Sequence, residues 1–288
     1  AYRKGLCKPT SSEDFSDHHQ CLKVLLGGNI YIRPGLLYAN GSFYAYLGSS
    51  RFVSLEALGK GDEYSRQHVI RARRTSVVGI ALDRATKAVV EGMLYTASYV
   101  EYEKNASIAV LLGPDWNFDS KEWVMPLGGD TRSVHAFLLE GGYDPIEILV
   151  SGRSDKWEAI LLTPALLHLE EEDGAGVGIG GSGETVIIDD NLVEEIAGAL
   201  RCQSEREVNN CIKSIKINRI PRGELEAGIL SPGWSVAKNA PREPHLLLPP
   251  DTRLLIEAHN ECAGIIARLG LGVHSRLGWG TVFLRAAR

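Results

Sequence analysis

Short apolar runs cut by Gly-Gly, Pro-Gly and Asn-Gly, few and brief helical stretches, and a second half that runs strand, helix, strand, strand, helix, strand predict an α+β fold. That last order is the connectivity of a ferredoxin-like (RRM-like) unit. The first half reads as a degraded second copy with an inserted β-hairpin. A chain of 288 residues with 44% hydrophobic content has enough apolar material for two cores. The predicted domains are 1–151 and 152–288, the second closing on a glycine-rich loop.

Residues 1–20 are polar and turn-rich, and CLKVLLGGNIYIRPGLLYANGSFYAYLGSSRF, residues 21–52, breaks into strand-sized pieces. TSVVGIALDRATKAVVEGMLYTASYVEYE, residues 75–103, is two β-rich runs joined by the polar stretch 83–87, a hairpin with its turn at 84–86. SIAVLLG and WVMPLGGDTRSVHAFLLE supply further strands. After the polar region 141–155, KWEAILLTPALL starts a new strand that stops at Thr163 and Pro164. The acidic and glycine-rich EEEDGAGVGIGGSGETV can bury little and reads as a flexible loop. Asp190 or Asn191 then caps the helix LVEEIAGALR, with Leu192, Ile196 and Leu200 on one face. KSIKINRI and RLLIEAH read as strands, CAGIIARLG as a short helix stopped by Gly270, and TVFLRA as the last strand.

The net charge of −5 and the isoelectric point near 5.9 exclude a protein that finds nucleic acid by a global positive field, so any polyanion site must be local. Five cysteines form no C-x-x-C pair and leave an odd thiol, which points to neither a zinc site nor a secreted disulfide framework, and fits a reducing cytoplasm. No signal peptide or membrane span is predicted, and a chain that begins with Ala is expected to lack its true start.

Four stretches could carry chemistry. In LGLGVHSRLGWGTVFL, residues 269–284, glycine amides can cradle phosphate oxygens while His274, Ser275 and Arg276 add donors. Alternatively, Gly270 only caps the preceding helix, and Gly278 and Gly280 only turn Trp279 into the strand. SRQHVIRARRTSVVGIALDR, residues 65–84, crowds Arg66, Arg71, Arg73 and Arg74 into a local positive patch suited to RNA phosphates, unless Glu63 and Glu91 neutralise it. PLGGDTR, residues 126–132, offers close backbone approach and Arg132, or a plain hairpin turn. The glycine run 174–183 lacks the Lys-Ser/Thr ending of a phosphate-binding loop. His18, His19 and His274 have no evident acid–base partner, so no catalytic residue, metal or cofactor is predicted. The run 170–173 reads as a solvated loop, not a magnesium site.

The segments SVVGIALDRATKAVVEGMLYTASYV, MPLGGDTR, ILLTPALL, SPGWSVAKNAPREPHLLLPPDTRLLIEA and LGLGVHSRLGWGTVFL follow one another in an order that resembles the RAMP proteins of CRISPR effector complexes. Within them the chain is most similar to the third subunits of the type III-B Cmr complex, a Cas5-like group. The likeness covers roughly residues 70–165 and 228–285. It implies two ferredoxin-like domains in a non-catalytic, cytoplasmic subunit that caps the 5′ handle of the CRISPR RNA. The implied protein partners are the large palm-domain subunit and the first backbone RAMP subunit of the complex.

On this chain the resemblance places the glycine-rich loop at Gly270, Gly272, His274, Ser275, Arg276 and Gly278, with handle RNA as its ligand. The hairpin around residues 83–92 resembles a thumb-like element that wedges against the RNA, and Arg71, Arg73, Arg74, Arg84 and Lys87 are assigned to its backbone, with Arg132 as a further contact. No RNP-type aromatic motif is visible, so broad base stacking on a sheet face is not expected. The alternative is a RAMP endoribonuclease in which His274 or His18 activates a 2′-hydroxyl. A type III-A counterpart would share the fold and handle binding, and a small nucleotide at 174–183 is the remaining option.

Overall fold

The computed structural model describes residues 31–48, 50–82, 85–86, 89–102, 105–113, 120–126, 133–139, 144–168, 190–221, 228–230, 234–235, 240–241 and 245–287. The calls on His18 and His19, on Arg84, Lys87 and Arg132, on the acidic run 170–173 and on the glycine run 174–183 lie outside these residues.

The first sheet contains β1 (Ile32–Ala39), β2 (Ser42–Tyr46) and β3 (Arg51–Ser54), then β4 (Val69–Leu82), β5 (Val89–Tyr102) and β6 (Ala106–Leu112). Its spatial order is β5-β4-β3-β2-β1-β6, and every neighbouring pair is antiparallel. Asn40 and Gly41, with φ of 50° and 78°, close β1 onto β2 in the two-residue turn that the Asn-Gly signal calls for. The stretch Leu55–Lys60, which follows the strand-sized pieces of residues 21–52 and has no element assigned from sequence, is helix α1. Ser54 caps it by accepting from the Ala57 N–H at 3.1 Å, left-handed Gly61 ends it, and Leu55, Ala57 and Leu58 are buried.

The hairpin grows out of this sheet. β4 pairs with β3 only through Val69, Ile70 and Arg71, but with β5 from Ala72↔Tyr102 to Leu82↔Val89. A long two-stranded arm follows, along which Val77, Val78, Ile80 and Val100 are exposed.

A ribbon of β7 (Glu122–Pro126) and β8 (Ser133–Phe137), then helix α2 (Pro145–Leu149), lead to the second sheet. Its elements, in chain order, are β9 (Val150–Ser151), β10 (Lys156–Leu161), β11 (Ala165–His168), α3 (Asp190–Cys202), α4 (Arg206–Cys211), β12 (Ile212–Arg219), β13 (Gly228–Leu230), β14 (Trp234–Ser235), β15 (Ala240–Pro241), β16 (His245–Leu248), β17 (Arg253–Ala258), α5 (Cys262–Leu269) and β18 (Val282–Ala286). The sheet order is β12-β17-β10-β18-β9, with β11-β16-β13 as a small separate sheet. β10, antiparallel to both neighbours, is the central strand, and Trp157, Ala159, Ile160 and Leu161 are fully buried. Ile196 and Leu200 of α3 and Ala263, Ile266 and Ala267 of α5 are buried with them. Mostly strands with few helices, this is the α+β class.

The apolar core is not divided at residue 151. One buried cluster runs from Leu36, Val53 and Leu58 through Trp157 and Ile256 to Phe283, and β9 pairs with β18. Among the described residues a disulfide is present, although the cysteine spacing points to no disulfide framework. Cys211 at the end of α4 and Cys262 at the start of α5 are joined, their Cα atoms 5.5 Å apart. They lie 51 residues apart in sequence and meet only because α4 and α5 pack together.

A buried ion cluster ties the halves together. Glu63, in the turn after α1, meets Arg253 of β17 at 2.8 Å and Arg285 of β18 at 3.2 Å. Arg285 also donates to Glu158 of β10 at 2.6 Å and to the Leu58 carbonyl at 2.7 Å. Asp251 takes Arg253 at 3.1 Å and Arg219 at 3.2 Å, and Arg219 donates to the Tyr64 hydroxyl. Burial alone would raise the Glu63 carboxyl, but a backbone hydrogen bond and its two arginines outweigh it and hold it below the usual carboxylate value. Burial alone would lower Arg253, but Asp251 and Glu63 more than offset that and raise it.

A depressed folded-state carboxylate stabilises the fold above its unfolded value near 4.3, and the stabilisation is lost as pH falls through the folded value. Glu63→Gln is therefore expected to cost about 3 kcal/mol at neutral pH, because it leaves only Glu158 and Asp251 to balance Arg219, Arg253 and Arg285. It should also flatten the stability loss below about pH 4. Thermal melts of both proteins between pH 3 and 8 check this, and an unchanged melting temperature at neutral pH would exclude the tie.

Candidate functional site

The C-terminal loop follows directly from α5. Gly270 ends the helix by donating its N–H to Ile266 O at 2.8 Å, and the chain then turns through Gly272, a single 3₁₀ turn at Ser275–Leu277, and Gly278 and Gly280 into β18. The amides point into the protein. Leu271 N–H donates to Gly280 O at 2.9 Å, Gly272 N–H to Ser204 Oγ at 3.0 Å, Val273 N–H to Leu166 O at 2.8 Å and Gly280 N–H to Pro164 O at 2.8 Å. Thr163 Oγ1 donates to Gly278 O and accepts from Thr281 N–H, both at 2.8 Å.

These contacts correct the expectation that glycine amides form a phosphate cradle. At Gly272 a Cβ would lie 2.5 Å from Leu166 O, and at Gly280 only 1.8 Å from Leu271 O. Glycine is required there by backbone-to-backbone contact and by left-handed φ, not by an outside ligand. The capping and turning roles weighed for Gly270, Gly278 and Gly280 are what the loop displays.

The side chains of the loop divide sharply. Ser275 and Arg276 are buried, Arg276 lying between Glu205 at 3.1 Å and Glu207 at 3.7 Å. Neither is presented at the surface in this conformation, because α4 supplies one acid and its preceding residue the other. Beneath them sits Arg33 of β1, a residue missed in sequence. It is fully buried, donates through Nε to Arg268 O and through Nη1 to Ser275 O, each at 2.6 Å, and lies over the Tyr31 ring. Burial foremost, with the nearby Arg276 charge adding to it, lowers Arg33 to about 9. Its only sequence signal is a charged residue inside an apolar strand.

His274 is half-buried and holds a left-handed conformation at φ 56°. It lies beside two histidines from distant segments. The His245 ring is 6.1 Å from the His274 ring and 5.5 Å from that of His168. Sequence reasoning left His274 without a neighbour of its kind, since His168 and His245 are brought in by the β11–β16 pairing, where they are direct cross-strand partners. Among the described residues no group of His, Cys, Asp or Glu side chains could hold a metal ion.

The arginine stretch is at the surface. Arg71, Arg73 and Arg74 on β4 are exposed, and Arg51 of β3 stands directly across from Arg71. Like charges placed opposite one another repel. Glu63, proposed from sequence as a neutraliser, is occupied by Arg253 and Arg285 instead. Among the described residues none of these four arginines has a carboxylate within ion-pair distance. Alternation along β4 puts Arg71 and Arg73 on one face and Arg74 on the other.

No helix of the described residues is long and apolar enough to cross a membrane. A comparison with curated proteins finds no match. Among solved structures, the chain is similar to a chain of the type III-B Cmr-beta complex bound to cognate target RNA and AMPPnP, in its state 1. The two share 16% identity at a TM-score of 0.50, over 96% of this chain and 86% of that one. A chain of Cmr-beta bound to cognate target RNA is similar at 15% identity and a TM-score of 0.48, over 87% and 71%. The family model for CRISPR-associated protein (Cas_Cmr3) matches residues 67–284, a span that takes in both the arginine-bearing arm and the glycine-rich loop, and the chain belongs to that family.

Proposed function

We propose that the chain is a non-catalytic RNA-binding subunit of a type III-B CRISPR effector ribonucleoprotein, capping the 5′ handle of the CRISPR RNA. The observation that carries this is the set of arginines at the root of the β4–β5 arm. Arg51 and Arg71 face each other with no ion pair to either among the described residues, and Arg73 follows two residues on, across from Glu101 of β5. An acidic chain that sets Arg51 against Arg71 without an ion pair is suited to a polyanion held in one place. Family membership supports the assignment, and the similar solved chain comes from an assembly bound to target RNA.

The second sheet supports the ferredoxin-like reading of that half. β10, α3, β12, β17, α5 and β18 follow as strand, helix, strand, strand, helix, strand, and lie in the order β12-β17-β10-β18. In the first half, we assign the six-stranded sheet to a second unit of this kind, modified by its arm. Arg74, and the exposed Val78, Ile80 and Val100 on its face of the arm, are assigned to the protein side, toward the large palm-domain subunit and the first backbone subunit. Of the glycine-rich loop, Val273, His274, Leu277 and Trp279 keep half-buried side chains, and His274 is the one we assign to RNA.

The test is a fluorescence-anisotropy titration of the full chain with handle RNA and a scrambled control at several salt concentrations, followed by a gel of the recovered RNA. Arg71→Ala and Arg73→Ala are each expected to weaken binding to both RNAs and to reduce the slope of log affinity against log salt by about 0.7. The RNA should be recovered intact. Cleaved RNA would make this a processing enzyme, and no binding by the wild-type chain would remove the RNA-binding reading.

A further inference from the structure

Two adjacent residues in the turn after α1 point in opposite directions. Glu63 is buried in the ion cluster, whereas Tyr64, the next residue, leaves 66% of its surface open to solvent. A ring so exposed gains little from the hydrophobic effect, so core packing does not explain it. Nothing described so far uses its face.

The ring is nevertheless held in place. Around it the Gly61 N–H donates to Leu58 O at 3.2 Å, the Asp62 N–H to Ala57 O at 2.9 Å and the His68 N–H to Ser65 O at 3.1 Å. At the far end of the side chain, Arg219 Nη1 donates to the Tyr64 hydroxyl at 3.0 Å, while Arg219 Nη2 donates to the buried Asp251 carboxylate at 3.2 Å. Tyr64 is thus fixed from both sides: along the chain by Glu63, and across space by Asp251 through Arg219. A tyrosine has two side-chain torsions to order, and here both ends are already anchored, so little freedom is lost when a ligand settles on the ring.

The surroundings of the ring select the ligand. Arg66, two residues on, is exposed and has no ion pair among the described residues. Asp62, the acid of this turn, lies 3.7 Å from His68 instead. The chain then runs through Val69 and Ile70 to Arg71, which faces Arg51. An apolar protein partner would call for further apolar side chains beside the ring, but Asp62, Ser65, Arg66, Gln67 and Arg219 are all polar or charged. An aromatic face followed by guanidiniums is the composition of a single-stranded nucleic-acid track, in which the ring takes a base and the cations take phosphates.

We infer that Tyr64 is a base-stacking residue for single-stranded RNA, positioned by Arg219, with Arg66 taking a neighbouring phosphate. The inference rests on the RNA-binding reading and adds to it a contact made to a nucleobase, away from the glycine-rich loop and from the sheet faces. Stacking and phosphate contact differ in salt dependence, which separates the ring from the arginines.

The experiment uses the full chain with handle RNAs carrying 2-aminopurine at one position at a time, read by fluorescence quenching and by anisotropy. Stacking should quench one of these probes in the wild type and not in Tyr64→Ala. Tyr64→Ala should lower affinity about 5- to 150-fold with the salt slope unchanged, and Tyr64→Phe, which keeps the ring face but not the hydroxyl, should retain the quenching and most of the binding. Arg66→Ala should keep the quenching and reduce the slope of log affinity against log salt by about 0.7. If Tyr64→Ala melts early, Tyr64→Leu, which covers the same surface without an aromatic face, serves in its place with the same loss expected. Wild-type binding with no position quenched, or with quenching and affinity unaffected by these Tyr64 variants, overturns the site and leaves the arginine reading standing. No RNA binding by the wild-type chain overturns both.

Discussion

A carboxylate from the turn after α1, Glu63, is wedged between guanidiniums on β17 and β18, the two strands that flank β10 in the second sheet, and the rest of the cluster follows from that placement. Glu158 and Asp251 complete the balance, so that three acids answer Arg219, Arg253 and Arg285. Burying any one of these charges alone would be costly, and each is tolerable only in register with the others. A shift of β17 by one residue would turn Arg253 to the opposite face of the sheet and leave Glu63 and Asp251 facing apolar side chains. The cluster therefore acts as a registration device between the halves more than as a source of net stability. The continuous apolar cluster on either side of it is the larger source of cohesion.

With the halves registered, β1 can lie against the C-terminal loop. Arg33 reaches from the first sheet to the carbonyls of Arg268 and Ser275, while Thr163 holds Gly278 and Thr281 from below. The histidine row is assembled by the same contacts, since Val273 is pinned to Leu166 two residues before His168. The arm, by contrast, pairs with β3 at its root among the described residues, and its exposed arginines owe little to the core. Two kinds of surface result: one rigid and built from the meeting of distant segments, the other extended, charged and local in sequence.

That difference explains how much could be read in advance. The β4–β5 hairpin, the helix α3 with Ile196 and Leu200 buried, and the strands β12, β17 and β18 are legible because each depends on local pattern or turn chemistry. Helix α1 was hidden because its apolar residues span barely more than one turn, too short for a helical period to show, although Ser54 and Gly61 are ordinary caps. Arg71, Arg73 and Arg74 could be picked out as neighbours in the chain. Arg51, Arg33, His168 and His245 could not, because their significance comes from cross-strand register and from contacts more than 70 residues away in sequence. The Cys211–Cys262 pair belongs to the same class.

The glycines of the C-terminal loop were the most conspicuous feature of the sequence, and their geometry changes what they signify. The space that a side chain would need at Gly280 is already filled by the carbonyl of Leu271, and at Gly272 by that of Leu166. A pattern of this kind is a record of excluded volume: it reports where two stretches of main chain touch, whatever the protein binds. It identifies the architecture to which a chain belongs, and it is silent about ligand. What such a loop offers to its surroundings lies in the few side chains that its tight course leaves half-buried, here Val273, His274, Leu277 and Trp279.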